Sequence, residues 1–455
     1  MADLSAFRRI HLVGVGGIGM SGLAKLLAQA GHVVSGSDLK PGRALSALAG
    51  QGVEVWVGHR PERASSWDLV VGSSAVPERD PEMTAARAAG VEVWHRPRLL
   101  EAMTRRAPAI GVAGTHGKTT GTAMVVTALR SLGRDPSFMV GGEVVDLNTN
   151  AHRGEPGLFV LEADEAFGTF LEVHLAGLAV TNVEADHLDH YGTAGAVEEA
   201  FAAVARGVGG PVVACLDDPG ASRLAAAVPG VVGYGLDPAA AWRIEGVTPA
   251  PAAVSFFLHH GRRVVPVTVP RPGLHVARNA AGTLALLGEM GFDVAGAAAG
   301  LASFGGVKRR FEVRARIQGI TIIDDYAHHP TEVAATIAAA RMGGPRRVVA
   351  VFQPHRFSRT AEHAAGFGAA LATADRVVLT EVYAAGEAPV PGVNGRLVAD
   401  AARAAGASVA FVPRRSDLAG VVAAEARAGD LILLMGAGDI TLVAEELAGA
   451  LGGMR

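Results

Sequence analysis

The chain is short of the residues that mark secreted, membrane-bound or nucleic-acid-binding proteins. Its 455 residues include one cysteine, Cys215. No internal disulfide framework can form, and a reducing compartment is expected. No apolar run is long enough to cross a bilayer, because Gly, Pro or charged residues interrupt each candidate. The opening Met-Ala-Asp-Leu-Ser-Ala-Phe-Arg-Arg lacks the apolar stretch of a signal peptide. A cytoplasmic protein with no membrane attachment is therefore expected. The formal net charge is only −3, so no field of one sign draws in nucleic acid or an acidic membrane. Aromatic residues make up just 5% of the chain.

Glycine is abundant, at 59 residues, and 49% of the chain is hydrophobic. Many Gly, Ala and Val suit α/β layers joined by tight turns. The length exceeds one ordinary domain and implies two to four. Three segments each open with a strand-like run. In the first, strands at 10–13, 32–37, 53–57, 68–73 and 91–94 alternate with helix-like stretches, among them Ser21–Gln29 and Arg98–Arg105. Such alternation predicts a parallel sheet with helices on its faces. Pro108 marks a boundary. The second segment begins with the strand Ala109–Ala113 and a helix ending near Ser131, with strands at 158–161, 178–181 and 211–216. The alternating stretch 241–269 reads as an antiparallel excursion, and 279–287 as a helix. The third begins near Arg309, with strands at 320–324, 347–352, 376–379 and 430–435 between Ala-rich helices.

Gly14-Val15-Gly16-Gly17-Ile18-Gly19 fits G-x-G-x-x-G between a strand and a helix. Such glycines allow a tight turn and let a pyrophosphate approach the helix N-terminus. Asp38, at the end of the next strand, has the spacing of a ribose-binding acid, so a nicotinamide enzyme is one reading. A second loop, Gly114-Thr115-His116-Gly117-Lys118-Thr119-Thr120, also joins a strand to a helix. It is not the strict G-x-x-x-x-G-K-[ST], since that spacing falls on Val112. Its backbone amides can still cradle phosphates, Lys118 can reach β/γ oxygens, and a Thr hydroxyl can ligate Mg²⁺. A dehydrogenase has no use for this loop. Two phosphorylated ligands are the better reading.

Polar clusters follow the strands. Glu162-Ala163-Asp164-Glu165 ends one, and Thr181-Asn182-Val183-Glu184-Ala185-Asp186-His187-Leu188-Asp189 ends the next. Ligands of open α/β sheets lie beyond the carboxyl ends of strands, and carboxylates there suit Mg²⁺. Isolated acids of this kind are more often solvated loop charges or helix caps. His187 fits a satisfied imidazole or a metal ligand equally well, and no nearby His or Cys has zinc spacing. In the third segment Asp324–Pro330 and Gln353–Arg359 likewise end strands. Ligand contact explains them more readily than core packing, with helix capping as the competitor.

Taken in order, the chain resembles the Mur ligase family over nearly its whole length. The landmarks are Gly14–Gly22, Ser73-Ser74-Ala75-Val76 with Asp80-Pro81-Glu82, Gly114–Thr120, Glu162–Glu165 and Thr181–Asp189. Arg309-Arg310-Phe311, Asp324–Glu332, Phe352–Thr360 and Gly436-Ala437-Gly438-Asp439-Ile440 follow. The resemblance implies an α/β protein of three domains. These are a UDP-sugar-binding Rossmann-like domain at 1–107, a central P-loop ATPase-like domain with a parallel sheet at 108–308, and a C-terminal Rossmann-like domain at 309–455. It implies ATP-dependent ligation of L-alanine to the lactyl carboxylate of UDP-N-acetylmuramate through an acyl phosphate, giving ADP and phosphate for peptidoglycan synthesis. A tripeptide, glycine or L-serine as the accepted amine remains an alternative, since one methyl group discriminates weakly. A monomer or homodimer is expected.

By the same resemblance, Lys118 and His187 are catalytic. Gly114, Thr115, His116, Gly117, Lys118, Thr119 and Thr120 bind ATP with Asn279 (at the adenine), Arg310 and Asp325. Thr119 and Glu162 hold one Mg²⁺, and His187 a second. Gly16, Gly17, Ile18, Gly19, Ser73 and Ser74 line the UDP-sugar, and Tyr326, His355, Arg356 and Arg359 shape the amino-acid site. Three positions depart from the family pattern. Ala166-Phe167-Gly168-Thr169-Phe170 replaces Ser-Asp-x-Ser-Phe. His275-Val276-Ala277-Arg278-Asn279 lacks the first Asn of His-Asn-x-x-Asn. Gly121 interrupts the Thr run after Lys118.

Overall fold

The computed structural model describes residues 4–105, 107 and 109–453, with the side chains of Phe167 and Asp189 outside that description. The boundary residue Pro108 also lies outside it. The architecture is three-domain α/β, each domain built on its own sheet. By packing, the chain forms two compact units. One comprises 1–246, 256–268 and 278–305, and the other 247–255, 269–277 and 306–455. Among the described residues, no helix is long and apolar enough to cross a membrane.

The N-terminal sheet contains β1 (Arg9–Val13), β2 (Val33–Asp38), β3 (Glu54–Val57), β4 (Leu69–Gly72) and β5 (Glu92–His95), in the order β3-β2-β1-β4-β5. All neighbours are parallel. The winding reverses at β1, so a crevice opens beyond its carboxyl end, where Gly14–Gly19 lies. The helix Ile18–Gln29 begins three residues earlier than the hydrophobic pattern predicts, because Gly19 and Gly22 hide its first turn. It buries Met20, Leu23, Ala24, Leu26 and Leu27.

A polar network is sealed beneath this loop. The fully buried His11 ring lies between Trp56 and Trp67, with centroids 4.9 and 4.0 Å away and planes 7° apart in both pairs. Its Nδ1 is 2.9 Å from Ser35 Oγ, and its Nε2 is 3.4 Å from Glu82 Oε2. Glu82 also accepts from Ser37 Oγ, from Trp56 Nε1 at 3.1 Å and from the Arg60 amide at 2.8 Å. Burial opposes its charge, but these donors outweigh it and hold the carboxyl down to about 2. The Ser37 carbonyl accepts from the amides of Gly14 and Val15 at 2.8 and 3.0 Å, so the network supports the loop directly.

The central sheet holds β6 (Ala109–Ala113), β7 (Ser137–Val144), β8 (Thr149–His152), β9 (Phe159–Glu162), β10 (Leu175–Val180), β11 (Val212–Cys215), β12 (Val232–Gly235), β13 (Trp242–Ala250), β14 (Ala253–His260) and β15 (Arg263–Val269). Its order is β15-β14-β13-β12-β11-β10-β6-β9-β7-β8. Every residue of β6 is buried, and β6 pairs in parallel with β9 on one side and β10 on the other. The second switch point therefore lies at Gly114. The stretch 241–269 forms three strands. The β7–β8 antiparallel pair was not expected from the sequence, since Gly141-Gly142 reads as a loop.

The C-terminal sheet contains β16 (Glu312–Ile317), β17 (Ile320–Asp325), β18 (Arg347–Phe352), β19 (Arg376–Leu379), β20 (Val409–Phe411) and β21 (Asp430–Met435). The order is β16-β17-β21-β18-β19-β20, parallel except for the β16–β17 hairpin. That hairpin turns through Gln318 and Gly319, both at positive φ (51° and 78°), which matches the twist of antiparallel strands. It was also unexpected.

Replacing Glu82 with Ala leaves Ser37, Trp56 Nε1 and the Arg60 amide without their buried acceptor. The expected cost is about 3–5 kcal/mol, read as a lowered urea midpoint. A loss below about 1 kcal/mol would contradict the assigned network.

Candidate active site

The loop after β6 is built by two glycines in conformations other residues resist. Gly114 (φ +136°) leaves no room for a side chain, since a Cβ there would lie 2.1 Å from Thr181 Oγ1. Gly117 (φ +84°) begins the helix Lys118–Ser131, and a Cβ on it would lie 2.8 Å from Asn279 Oδ1. The segment after β10 is laced to this loop. Asn182 accepts from the His116 amide at 2.8 Å and donates to the His116 carbonyl at 3.0 Å. Thr181 Oγ1 donates to the same carbonyl at 2.5 Å, and the Glu184 amide donates to Thr115 Oγ1 at 2.9 Å. No side chain caps the helix N-terminus, so its first amides face the loop with the positive end of the helix dipole.

Lys118 sits within this cradle. Its Nζ donates to both carboxylate oxygens of Glu165 at 2.8 Å and to the Gly114 carbonyl at 2.7 Å, with Asp164 3.8 Å away. Burial works against its charge, yet these carboxylates prevail and hold the ammonium above the usual lysine range. Glu162, at the end of β9, accepts from the Gly141 amide of β7 and interacts with the Thr119 hydroxyl. Burial, the largest influence, raises its carboxyl. The structure thus brings Thr119, Lys118 and Glu162 together with Glu165, whose part the sequence analysis did not single out. His187 takes a left-handed φ of 55° at the head of the short helix Leu188–Tyr191, its Nε2 3.9 Å from Asp186. Asn279 lies against Gly117 on the helix Leu274–Glu289.

At the first switch point, Gly14 (φ +78°) turns the chain, and Gly17 begins the following helix without a side-chain cap. Asp38 does not present a free carboxylate as a ribose-binding acid would. Its Oδ2 accepts from the Gly16 amide at 2.9 Å and its Oδ1 from the Lys40 amide at 3.1 Å. This removes the main support for a nicotinamide site. Ile18 is half exposed, and Ser73 packs on Gly14. The buried Ser74 Oγ has no hydrogen-bond partner among the described residues. Sequence reasoning missed Arg96, the first residue of the helix after β5. Its guanidinium carbon would lie 3.0 Å from a Cβ on Gly19, and its buried Nε also lacks a partner among the described residues. A cation at the carboxyl end of a strand was the available signal.

The second compact unit gathers its polar groups beyond β17 and β18. Asp325 accepts from the amides of Phe311 at 2.7 Å and Ala327 at 2.8 Å. Burial pushes its carboxyl up to about 6, against the pull of Arg310. The guanidinium groups of Arg309 and Arg310 lie 4.9 and 5.0 Å from the Tyr326 ring centre, a cation–π arrangement. The ring of His328 is 5.2 Å from Tyr326 and 6.0 Å from His355, and His355 stacks on Tyr383 at 5.6 Å. Burial and nearby arginines, Arg359 among them, lower His328 to about 3 and His355 to about 4. Arg356 (φ +69°) precedes the helix Phe357–Leu371, and Arg359 lies buried in its first turn. Arg310, Asp325, Tyr326, His355, Arg356 and Arg359 thus all lie in this unit, at the exits of β17 and β18.

Two glycine-rich loops at sheet switch points, one carrying a lysine ringed by carboxylates, define a nucleotide-using α/β enzyme. Known families agree. The profile described as "Mur ligase family, catalytic domain" matches 9–107, "Mur ligase middle domain" 112–287, and "Mur ligase, glutamate ligase domain" 309–438. The chain is 45% identical to the UDP-N-acetylmuramate–L-alanine ligase of Kineococcus radiotolerans, covering 96% of this chain and 95% of that one. The enzyme of the same description from Mycolicibacterium smegmatis is 44% identical, with 97% and 94% covered. Among solved structures, the UDP-N-acetylmuramate-alanine ligase of Thermotoga maritima superposes with a TM-score of 0.85 at 30% identity, covering 98% and 100%. A murein peptide ligase from Psychrobacter arcticus gives 0.72 at 25% identity, covering 98% and 99%. The chain belongs to the Mur ligase family.

The lowered histidines set a pH signature. Their folded pKa values lie below the unfolded value near 6.5, so the stability they confer is complete above that pH and is lost as pH falls towards about 3–4. Asp325, being raised, acts in the opposite sense between about pH 4 and 6. Comparison with His328→Asn cancels its contribution. The stability advantage of the wild type over this variant should shrink by up to about 1.4 kcal/mol per pH unit below 6.5. Parallel pH–melting curves would refute the burial of a neutral His328.

Proposed function

We propose that the protein joins L-alanine to the lactyl carboxylate of UDP-N-acetylmuramate with cleavage of ATP to ADP and phosphate. The observation that carries this reading is the pair of unlike phosphate loops within one compact unit. Only the second has a lysine and acid cluster, which suits a nucleotide whose γ-phosphoryl group is transferred. The first suits a diphosphate that is only held. The near-full-length relatives named for this ligation support the assignment of substrates. Asp38, engaged with its own loop, disfavours the nicotinamide reading.

The chemistry follows from the weakness of a carboxylate as an acyl donor at neutral pH. Its oxygen attacks the γ-phosphorus, the bond to the bridging β,γ-oxygen breaks, and ADP departs. The alanine amine then attacks the acyl carbon of the mixed anhydride. The tetrahedral intermediate loses a proton from nitrogen and expels phosphate, leaving the amide. For ATP to bind, Lys118 exchanges Glu165 for phosphate oxygens, and the amides of Gly114–Thr120 receive the remaining charge. Asn279, against Gly117, is assigned to the adenine, and the family resemblance assigns Arg310 and Asp325 to ATP as well. The hard oxygen donors of Thr119 and Glu162 would hold one Mg²⁺, and His187 would hold a second ion. Bound there, the metal would neutralise charge on the transferring phosphoryl group. Gly16–Gly19, Ser73 and Ser74 hold the UDP-sugar, and Arg96 beside Gly19 adds a cation for its diphosphate. In the amino-acid site, Arg356 and Arg359 suit a substrate carboxylate, flanked by Tyr326 and His355. Keeping His328 and His355 neutral spares an incoming α-ammonium further repulsion. These steps belong in the cytoplasm, where ATP is available.

Phosphate release from ATP should require both UDP-N-acetylmuramate and L-alanine. Release indifferent to either, or stimulated only by a tripeptide, would overturn the reading. Lys118→Ala should reduce turnover by about 10³-fold while the UDP-sugar dissociation constant, from calorimetry, stays within about threefold. Retained turnover would remove Lys118 from phosphate binding.

A further inference from the structure

The segment after β19 is tied to the exit of β18 at every level of its structure. The Tyr383 amide donates to the Pro354 carbonyl at 2.8 Å, and the Arg356 amide to the Tyr383 carbonyl at 2.9 Å. The Tyr383 ring stacks on His355 with planes 10° apart. Beyond it the chain turns through Ala385 (φ +50°) and Gly386 (φ +91°) and delivers Glu387 onto the start of the helix Phe357–Leu371. A left-handed alanine costs free energy that a solvent loop would have no reason to retain. What the turn gains is a carboxylate with three donors. Glu387 Oε1 accepts from Arg356 Nε at 2.5 Å and from Ser358 Oγ at 2.6 Å, while Oε2 accepts from the Ser358 amide at 3.0 Å.

An exposed ion pair of two long side chains contributes little, because both must be ordered to form it. This one differs in two respects. Both side chains are largely covered, at 27% and 21% exposure, and the carboxylate is anchored independently by Ser358. Arg356 itself leaves a strained backbone (φ +69°), so its direction is restricted from both ends. Glu387 takes Nε, the inner nitrogen, rather than the two terminal nitrogens that fork onto a carboxylate. It therefore restrains the guanidinium through its inner nitrogen. An arginine ordered beforehand loses less entropy when it binds.

We propose that Glu387 is a positioning residue of the amino-acid site, presetting the Arg356 guanidinium for the α-carboxylate of the amino acid. The inference rests on the reading of Arg356 as an amino-acid contact. Tyr383 plays the parallel part for His355, so one strap, 383–387, orients two groups of the site.

The test is steady-state phosphate release by the full-length enzyme with L-alanine varied and the other substrates saturating. Glu387→Gln retains the shape and loses the charge. It should raise the KM for L-alanine by about 10-fold, a factor equal to about 1.4 kcal/mol, with kcat within about threefold and the KM values for ATP and UDP-N-acetylmuramate unmoved. A purely structural role would lower kcat or disturb all three KM values together, and that outcome overturns the proposal. So does an unchanged KM for L-alanine in a variant that melts cooperatively. Arg356→Lys separates the premise from the inference. If it raises the alanine KM and Glu387→Gln does not, the positioning role alone fails. If neither does, the amino-acid site lies elsewhere and the proposal falls with it. Should Glu387→Gln fail to fold, Ser358→Ala decides, since loss of one anchor should raise the alanine KM several-fold and no change refutes the role.

Discussion

The central domain depends on one close approach, that of the segment after β10 to Gly114. A Cβ at that position would overlap Thr181 Oγ1 at 2.1 Å, so only glycine lets the two strand exits meet. Their meeting allows Asn182 to bond both the amide and the carbonyl of His116, and Thr181 to bond the same carbonyl. These contacts replace the hydrogen bonds that a loop of this curvature cannot make with itself. Lys118 projects from the helix that follows, and its position is inherited from that backbone rather than from any packing of its own.

A lysine held this way carries an electrostatic problem. Its ammonium is buried, and an isolated buried cation would give up its proton or unfold the site. Glu165 and Asp164 supply the countercharge in the absence of nucleotide. In the proposed reaction, phosphate oxygens would replace Glu165 at Lys118, one anionic partner for another, so the large desolvation penalty would not be incurred anew at binding. Glu162, beside the Thr119 hydroxyl, adds a third carboxyl to this acidic cluster.

Much of this was legible in the sequence wherever backbone and chemistry coincide. The strands 347–352, 376–379 and 430–435 run as expected because buried parallel strands are continuous apolar runs with sharp polar ends. Both loops were readable since Gly14, Gly16, Gly114 and Gly117 answer to left-handed conformations or to close approach. The β7–β8 hairpin was hidden by Gly141-Gly142. Gly141 cannot bear a side chain because Glu162 lies against it, its carboxylate oxygens 2.7 Å from where a Cβ would stand, a tertiary reason that no local pattern carries. Arg96 and Glu387 escaped notice for a similar cause. An arginine opening one helix and a glutamate in a Pro-Gly-rich loop look like solvated charges until the fold brings them to Gly19 and Arg356. Asp38 shows the converse. Its spacing implied a ligand, and the structure gives it the Gly16 amide instead.

The charge inventories of the two compact units differ in sign. Around Lys118 the first unit sets Glu162, Asp164 and Glu165, an excess of negative charge suited to metal-bound phosphate. The second sets Arg309, Arg310, Arg356 and Arg359 near the exits of β17 and β18, balanced in part by Asp325, Glu332 and Glu387. The acid cluster would repel the carboxylate of an amino acid. Separating the two fields onto separate sheets lets each be neutralised internally before substrates arrive. Glu165 on Lys118 and Glu387 on Arg356 are then two versions of one device. The difference between them is which atom is covered: Nζ itself at Lys118, and the inner Nε at Arg356.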